Sequence, residues 1–109
     1  MTNIDTDLTP PSSCFIVFHT PGPAWLPGVD FRQQPGVQDH VRHYSLLFEE
    51  GKLELGGPFL SPDSGGMMVT TKGVTREEIE AFAASDPAVM SELLLFEIRP
   101  WYTAMERGA

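Results

Sequence analysis

A single cysteine, Cys14, stands in a chain of 109 residues. An internal disulfide framework and a zinc cage built from cysteines are therefore excluded, and a reducing, cytoplasmic setting fits. Basic residues are scarce: seven Lys and Arg face fifteen Asp and Glu, for a net charge of −8. Nucleic acid and anionic membrane repel a domain of that sign. No apolar run approaches the ~20 residues that a membrane helix needs. The polar, acidic start Met1–Leu8 lacks the basic and apolar regions of a secretory signal. Internal repeats and low-complexity tracts are missing too. What remains is one globular domain, since domains mostly run to about 100–150 residues.

Proline-rich Pro10-Pro11-Ser12-Ser13 cannot continue a helix or pair well in a sheet, so residues 1–13 read as a mobile arm ahead of a domain over 14–105. The last residues, from Glu106, are expected to fray. Cys14–Phe18 is a short apolar, β-branched and aromatic run with the length and flanks of a buried strand. The stretch from Thr20 to Gly36 is crowded with proline and glycine, which makes it an ordered loop. It carries Trp25, Leu26 and Phe31, and a loop of that length usually covers something. From Val37 to Glu50 the spacing turns helical, with Val37, Val41, Tyr44, Leu47 and Phe48 on the expected core stripe. Lys52–Leu55 and Met67–Thr71 read as a hairpin. Thr75-Arg-Glu-Glu78 is a capping box in which the Glu78 side chain can reach back; Ile79 and Phe82 follow as its apolar face. Asp86-Pro87 opens a further short helix, and Leu93–Ile98 is the last strand. The order strand, helix, strand, strand, helix, strand predicts an α+β domain, a ferredoxin-like βαββαβ protomer. Helices on one face leave the other face of an apolar sheet bare, so a homodimer packed sheet to sheet is expected, open to further assembly.

His40 sits at the edge of the helical stripe, where its ring can point toward the sheet. Imidazole titrates near neutral pH and a carboxylate can fix its tautomer, which suits general acid/base work. A packed helix histidine is the plainer reading. Asp86 is the carboxylate to pair with it, although a helix N-cap is the plainer reading of Asp86. Both roles coexist only if one oxygen caps and the other faces His40. His43 lies nearer solvent. A metal held by His40 and His43 with Asp39 or Glu49 is the weaker reading, because Asp39 points away from His40; no metal and no cofactor are expected. Cys14, in or beside a strand, behaves as a small apolar group rather than a thiolate. Gly56-Gly57 and Gly65-Gly66 precede no helix and make no phosphate loop, though Gly57 can let a ligand approach the backbone. Trp25 and Phe59 can wall a small pocket. Arg99 reads most simply as a solvated strand-end residue.

Pro21-Gly-Pro-Ala-Trp25, Gln34-Pro-Gly36, His40, Glu50-Gly51-Lys52-Leu53, Gly56-Gly-Pro-Phe59, Asp86-Pro87 and Arg99-Pro-Trp101 together resemble the YCII-related (YciI-like) domain family, from about Phe15 to Trp101. That resemblance implies a dimeric α+β barrel. It also implies a catalytic histidine and aspartate at His40 and Asp86, and lyase-like elimination on small hydroxylated, sometimes halogenated, ring compounds. His19 and His43 match nothing in the family pattern. Three functions are thus set against one another. The first is a cofactor-independent acid/base catalyst acting through His40 and Asp86, with Trp25, Gly57 and Phe59 around the substrate. The second is a non-catalytic small-molecule-binding or accessory dimer. The third is a ligand-free structural dimer whose cleft is filled by side chains.

Overall fold

In the computed structural model, which describes residues 13–108, the first apolar run is a nine-residue strand, β1 (Ser13–Pro21). It exceeds the expected Cys14–Phe18 core at both ends because β4 (Leu94–Tyr102) is equally long and pairs with it from Ser13↔Tyr102 to Pro21↔Leu94. The arm expected over residues 1–13 lies outside the described residues except for Ser13, which is buried in β1. Between these strands come α1 (Val37–Glu49), β2 (Leu53–Pro58), β3 (Gly66–Thr70), α2 (Arg76–Ala84) and α3 (Pro87–Met90). The fold is α+β: a four-stranded sheet in the order β2-β3-β1-β4, every neighbour antiparallel.

Alternation along β1 sends Phe15 and Val17 to the helix side, where they join Tyr44, Leu47, Leu53, Val74, Ile79 and Ala83 in the main core. Val17 and Ile79 are fully buried, each contributing about 1.5–3 kcal/mol relative to exposure. A second cluster, of Trp25, Ala88, Leu93 and Leu94, sits where the long loop meets α3 and β4.

The core stripe of α1 is turned from its expected setting. Tyr44 and Leu47 are buried as anticipated, but Val41 and Phe48 are 58% and 59% exposed. The inward stripe is His40, Tyr44 and Leu47. Val41 and Phe48 each follow one of those residues and so lie about 100° further round. A polar His40 can hold a core position because a buried partner satisfies it, which apolar periodicity does not register. The capping box of α2 is half made: the Thr75 hydroxyl accepts from Glu78 N–H at 3.1 Å. The Glu78 carboxylate pairs with the Lys52 ammonium instead of its own helix end, a charge-assisted bond being stronger than one to a neutral N–H. Glu106, expected to fray, accepts from the Lys72 ammonium at 2.7 Å.

Candidate active site

The residues from Gly22 to Gly36 form the lid of a cavity, and their order comes from three anchors. Gly22 N–H and Ala24 N–H donate to Leu93 O and Glu92 O, tying the loop to the turn before β4. A Cβ on Gly22 would stand 2.3 Å from Glu92 O, so this approach needs glycine. Gln34, 3% exposed, accepts from Leu26 N–H at 2.9 Å and donates to Leu26 O and Val29 O. Trp25 Nε1–H donates to Asp63 Oδ1 at 2.8 Å, and Gly28 N–H donates to the same carboxylate. The loop is thus stapled across to the β2–β3 connection.

Beneath it lies a cavity of about 520 Å³, walled by α1 (Val37, Val41, Tyr44, Phe48), by Trp25 and Phe31 of the loop, and by β2 and β3. The edge strand makes room for it. A register shift falls between Leu53 and Leu55, and Gly56 and Gly57 then leave the strand without side chains at the cavity wall. A Cβ on Gly56 would meet Met68 Sδ at 2.3 Å, whereas one on Gly57 would meet nothing within 4 Å.

At the inner end His40, on α1, meets Asp86, the residue before α3. His40 Nδ1 lies 2.6 Å from Asp86 Oδ2, while Oδ1 accepts from Ala88 N–H at 2.9 Å and caps α3. The carboxylate does both jobs at once. Asp86 is fully buried. Burial alone would raise its pKa, but the hydrogen bond and charge of His40, helped by Ala88 N–H, outweigh that and hold it below the ordinary carboxylate value. A carboxylate only accepts, so neutral His40 carries its hydrogen on Nδ1. Among the described residues its Nε2 has no hydrogen-bond partner, and His40 lines the cavity.

His19, which matches nothing in the family pattern, belongs to the same cluster. It is 1% exposed on β1, and its ring packs edge-on against His40 with centroids 4.9 Å apart. Nδ1 lies 3.1 Å from Leu95 O, and Nε2 lies 2.9 Å from the Tyr44 hydroxyl. Burial foremost, then the His40 charge, pushes its pKa down to about 4. Burial likewise drives the Tyr44 hydroxyl above its ordinary value. Residue spacing on β1 carried a usable signal here: His19 continues the inward alternation of Phe15 and Val17. Tyr44 is core, as its place on the helical stripe predicts, and it also lines the cavity.

Of the other expected site residues, Trp25 and Gly57 line the cavity. Phe59 does not: it lies one residue past β2, where its N–H donates to Gly65 O at 2.8 Å and closes the turn, and the residue is 37% exposed. His43 is built into a seam between helices, its Nε2–H donating to Phe82 O at 2.7 Å and its ring stacked on Phe82. His40 and His43 therefore do not converge on a metal. Cys14 is buried, and burial pushes its thiol up, away from the nucleophilic thiolate. Among the described residues one group could hold an ion: His19, His40 and Asp86 each offer a ligand atom within 4.8 Å of the others. In that group Asp86 and both nitrogens of His19 are already hydrogen-bonded, which leaves the lone pair of His40 Nε2 as the ligand atom without a partner among the described residues.

No protein-family model matches the chain, and no curated protein matches it in sequence. Among solved structures, the fold is similar to that of 5-chloro-2-hydroxyhydroquinone dehydrochlorinase (TftG) from Burkholderia phenoliruptrix AC1100, in complex with 2,5-dihydroxybenzoquinone. The TM-score is 0.56 and the identity 18%, over 81% of this chain and 92% of that one. No helix among the described residues is long and apolar enough to cross a membrane.

Proposed function

We propose that this chain is a YCII-related, ferredoxin-like protomer that works as a cofactor-independent acid/base catalyst, lyase-like, on a small hydroxylated ring compound. One observation carries the reading: His40 Nδ1 is held at 2.6 Å by a fully buried Asp86 carboxylate at the end of an apolar cavity. In that setting His40 Nε2 takes a proton from a substrate hydroxyl, and Asp86 orients the ring and stabilises the imidazolium that forms. The dehydrochlorinase with a similar fold supports elimination of HX as the reaction type. One ring hydroxyl gives up its proton as the halogen-bearing carbon takes one up, and that oxygen becomes a carbonyl. A second hydroxyl gives its proton to His40 Nε2 and becomes the second carbonyl, its electron pair passing through the ring to break the carbon–halogen bond, so that a quinone and HX are released. Trp25 and Gly57 border the ring.

The test is halide release from chlorinated dihydroxy- and trihydroxybenzenes. His40→Gln and Asp86→Asn are each expected to lower kcat/KM by about 10²–10⁴-fold. Turnover that survives both changes sinks the proposal, and tight binding with no conversion replaces it with a non-catalytic binding module. We further propose that the chain works in the cytoplasm as a dimer joined through the helix-free face of the sheet. Leu95 and Trp101 on that face are 50% and 46% exposed, with Ile16, Phe18 and Met67 on the same face and the Glu97–Arg99 ion pair between the two, a largely apolar area of the kind that marks an interface. A monomer in sedimentation at micromolar concentration removes that part.

A further inference from the structure

Who donates and who accepts in this cavity follows from hydrogen-bond chemistry alone. Leu95 O can only accept, so the hydrogen of neutral His19 sits on Nδ1. His19 Nε2 is then a lone pair, and the hydroxyl 2.9 Å away must donate to it. The hydrogen of Tyr44 is therefore committed to protein, and what its oxygen can still offer a ligand is a lone pair. His40 is in the same condition: Nδ1–H is committed to Asp86, and Nε2 accepts. The remaining polar side chains of the wall are alike. Trp25 Nε1–H is bound to Asp63, and the Ser45 hydroxyl donates to Val41 O. Among the described residues the lining holds no lysine or arginine, and its one charged group is the carboxylate of Glu54.

We propose that Tyr44 is a substrate-positioning residue whose phenolic oxygen accepts a hydrogen bond from a second hydroxyl of the ligand while His40 Nε2 engages the first, so that the site selects neutral rings with two hydroxyl donors and rejects anionic ones. His19 enforces the selection. Its burial keeps it neutral down to a pKa of about 4, so through the neutral range it goes on taking the Tyr44 hydrogen. A ligand hydroxyl facing these two acceptors completes the set. A carboxylate or phosphate in the same place would face the lone pairs of Tyr44 and neutral His40, with no lysine or arginine in the described lining to compensate, a costly desolvation. The inference rests on reading the cavity as the ligand site, but it concerns binding and stands or falls without turnover.

The experiment is therefore equilibrium binding, followed by Trp25 fluorescence, of four probe compounds: hydroquinone, phenol, benzoquinone and benzoate. For the wild type, hydroquinone is expected to bind roughly tenfold tighter than phenol, the scale of one added hydrogen bond, and benzoate not detectably. Tyr44→Phe should erase the advantage of hydroquinone over phenol while leaving phenol unchanged. His19→Leu returns the hydrogen to Tyr44, so the hydroquinone-to-benzoquinone preference should fall severalfold as the quinone carbonyl gains a donor; a purely structural role for His19 would move both ligands together. Benzoate binding as tightly as hydroquinone, equal loss of phenol and hydroquinone in Tyr44→Phe, or no binding of any compound by folded wild type overturns the proposal. Selective binding without turnover leaves it standing and removes only the catalytic reading.

Discussion

The two ends of the cavity are built on opposite principles. At the inner end, four polar side chains from β1, α1 and the start of α3 lock one another by hydrogen bonds: His19 with Tyr44, His40 with Asp86. At the outer end, β2 contributes Gly56 and Gly57, and the space exists because side chains are missing. Geometry is held at the first end by satisfaction of buried polar groups and at the second by glycine. A substitution at the inner end should therefore disturb chemistry or folding, while the outer end should tolerate added bulk that faces free space.

Gly65 and Gly57 set this contrast at its largest. A Cβ at Gly65 would stand 1.9 Å from the carbonyl oxygen of His19, on a backbone with φ of +81°. Gly65→Ala must push β1 away or rearrange the turn, and it is expected to cost about 3 kcal/mol or more in urea denaturation. Gly57→Ala meets nothing within 4 Å and should change stability by less than about 0.5 kcal/mol, raising KM instead. Equal stabilities for the two variants would contradict the account of the outer end.

The inner end should also show itself through pH. The folded-state pKa of His19 is lowered from 6.5 to about 4. Between those values the unfolded chain binds a proton that the native protein does not, so stability rises with pH across the window. The contribution is complete above pH 6.5 and is lost as pH falls toward 4, a change on the order of 3 kcal/mol. His19→Gln should flatten that slope in denaturation curves taken at pH 7 and pH 4.5. A variant as steep as wild type would mean that His19 is not the buried neutral group described. Asp86, held below its ordinary value, adds a loss at still lower pH. The smallest effect of substituting a side chain between the ends is expected at the staple. Asp63→Ala frees Trp25 Nε1–H and Gly28 N–H and should cost about 1–2 kcal/mol, with Asp63→Asn, which keeps an acceptor, costing less. If Asp63→Ala left Trp25 fluorescence and ligand affinity unchanged, the lid would not depend on that bond.

Periodicity and turn chemistry were enough to read the strands, helices and their order, since Phe15, Val17, Leu47 and Ile79 are apolar at positions where local pattern and global burial agree. His40 and Asp86 each had an independent local mark, one on a helix face and one at a cap, and the family resemblance supported joining them, but their separation was not readable. The contact of His19 with Tyr44, and with it the second role of Tyr44, was not readable either. A buried histidine on a strand and a tyrosine on a core stripe look the same in sequence whether they touch each other or not. The rotated face of α1 was missed for a related reason: hydrophobicity counted Val41 and Phe48 as core, while a satisfied His40 took the inward place. Phe59, placed at a pocket wall by its chemistry alone, lies one residue past β2 and outside the lining.

By itself the chain's residue order determined the α+β element sequence, the acidic surface charge, the absence of a cysteine framework and the capping aspartate at Asp86. Tertiary structure alone decided that one carboxylate serves both a helix end and an imidazole, that His19 governs the Tyr44 hydrogen, and which side of α1 faces the cavity. The physical reason is range. Turns, caps and periodicity act within a few residues, whereas hydrogen bonds between residues 25 or 46 apart form only when packing of the sheet and helices brings their partners within 3 Å.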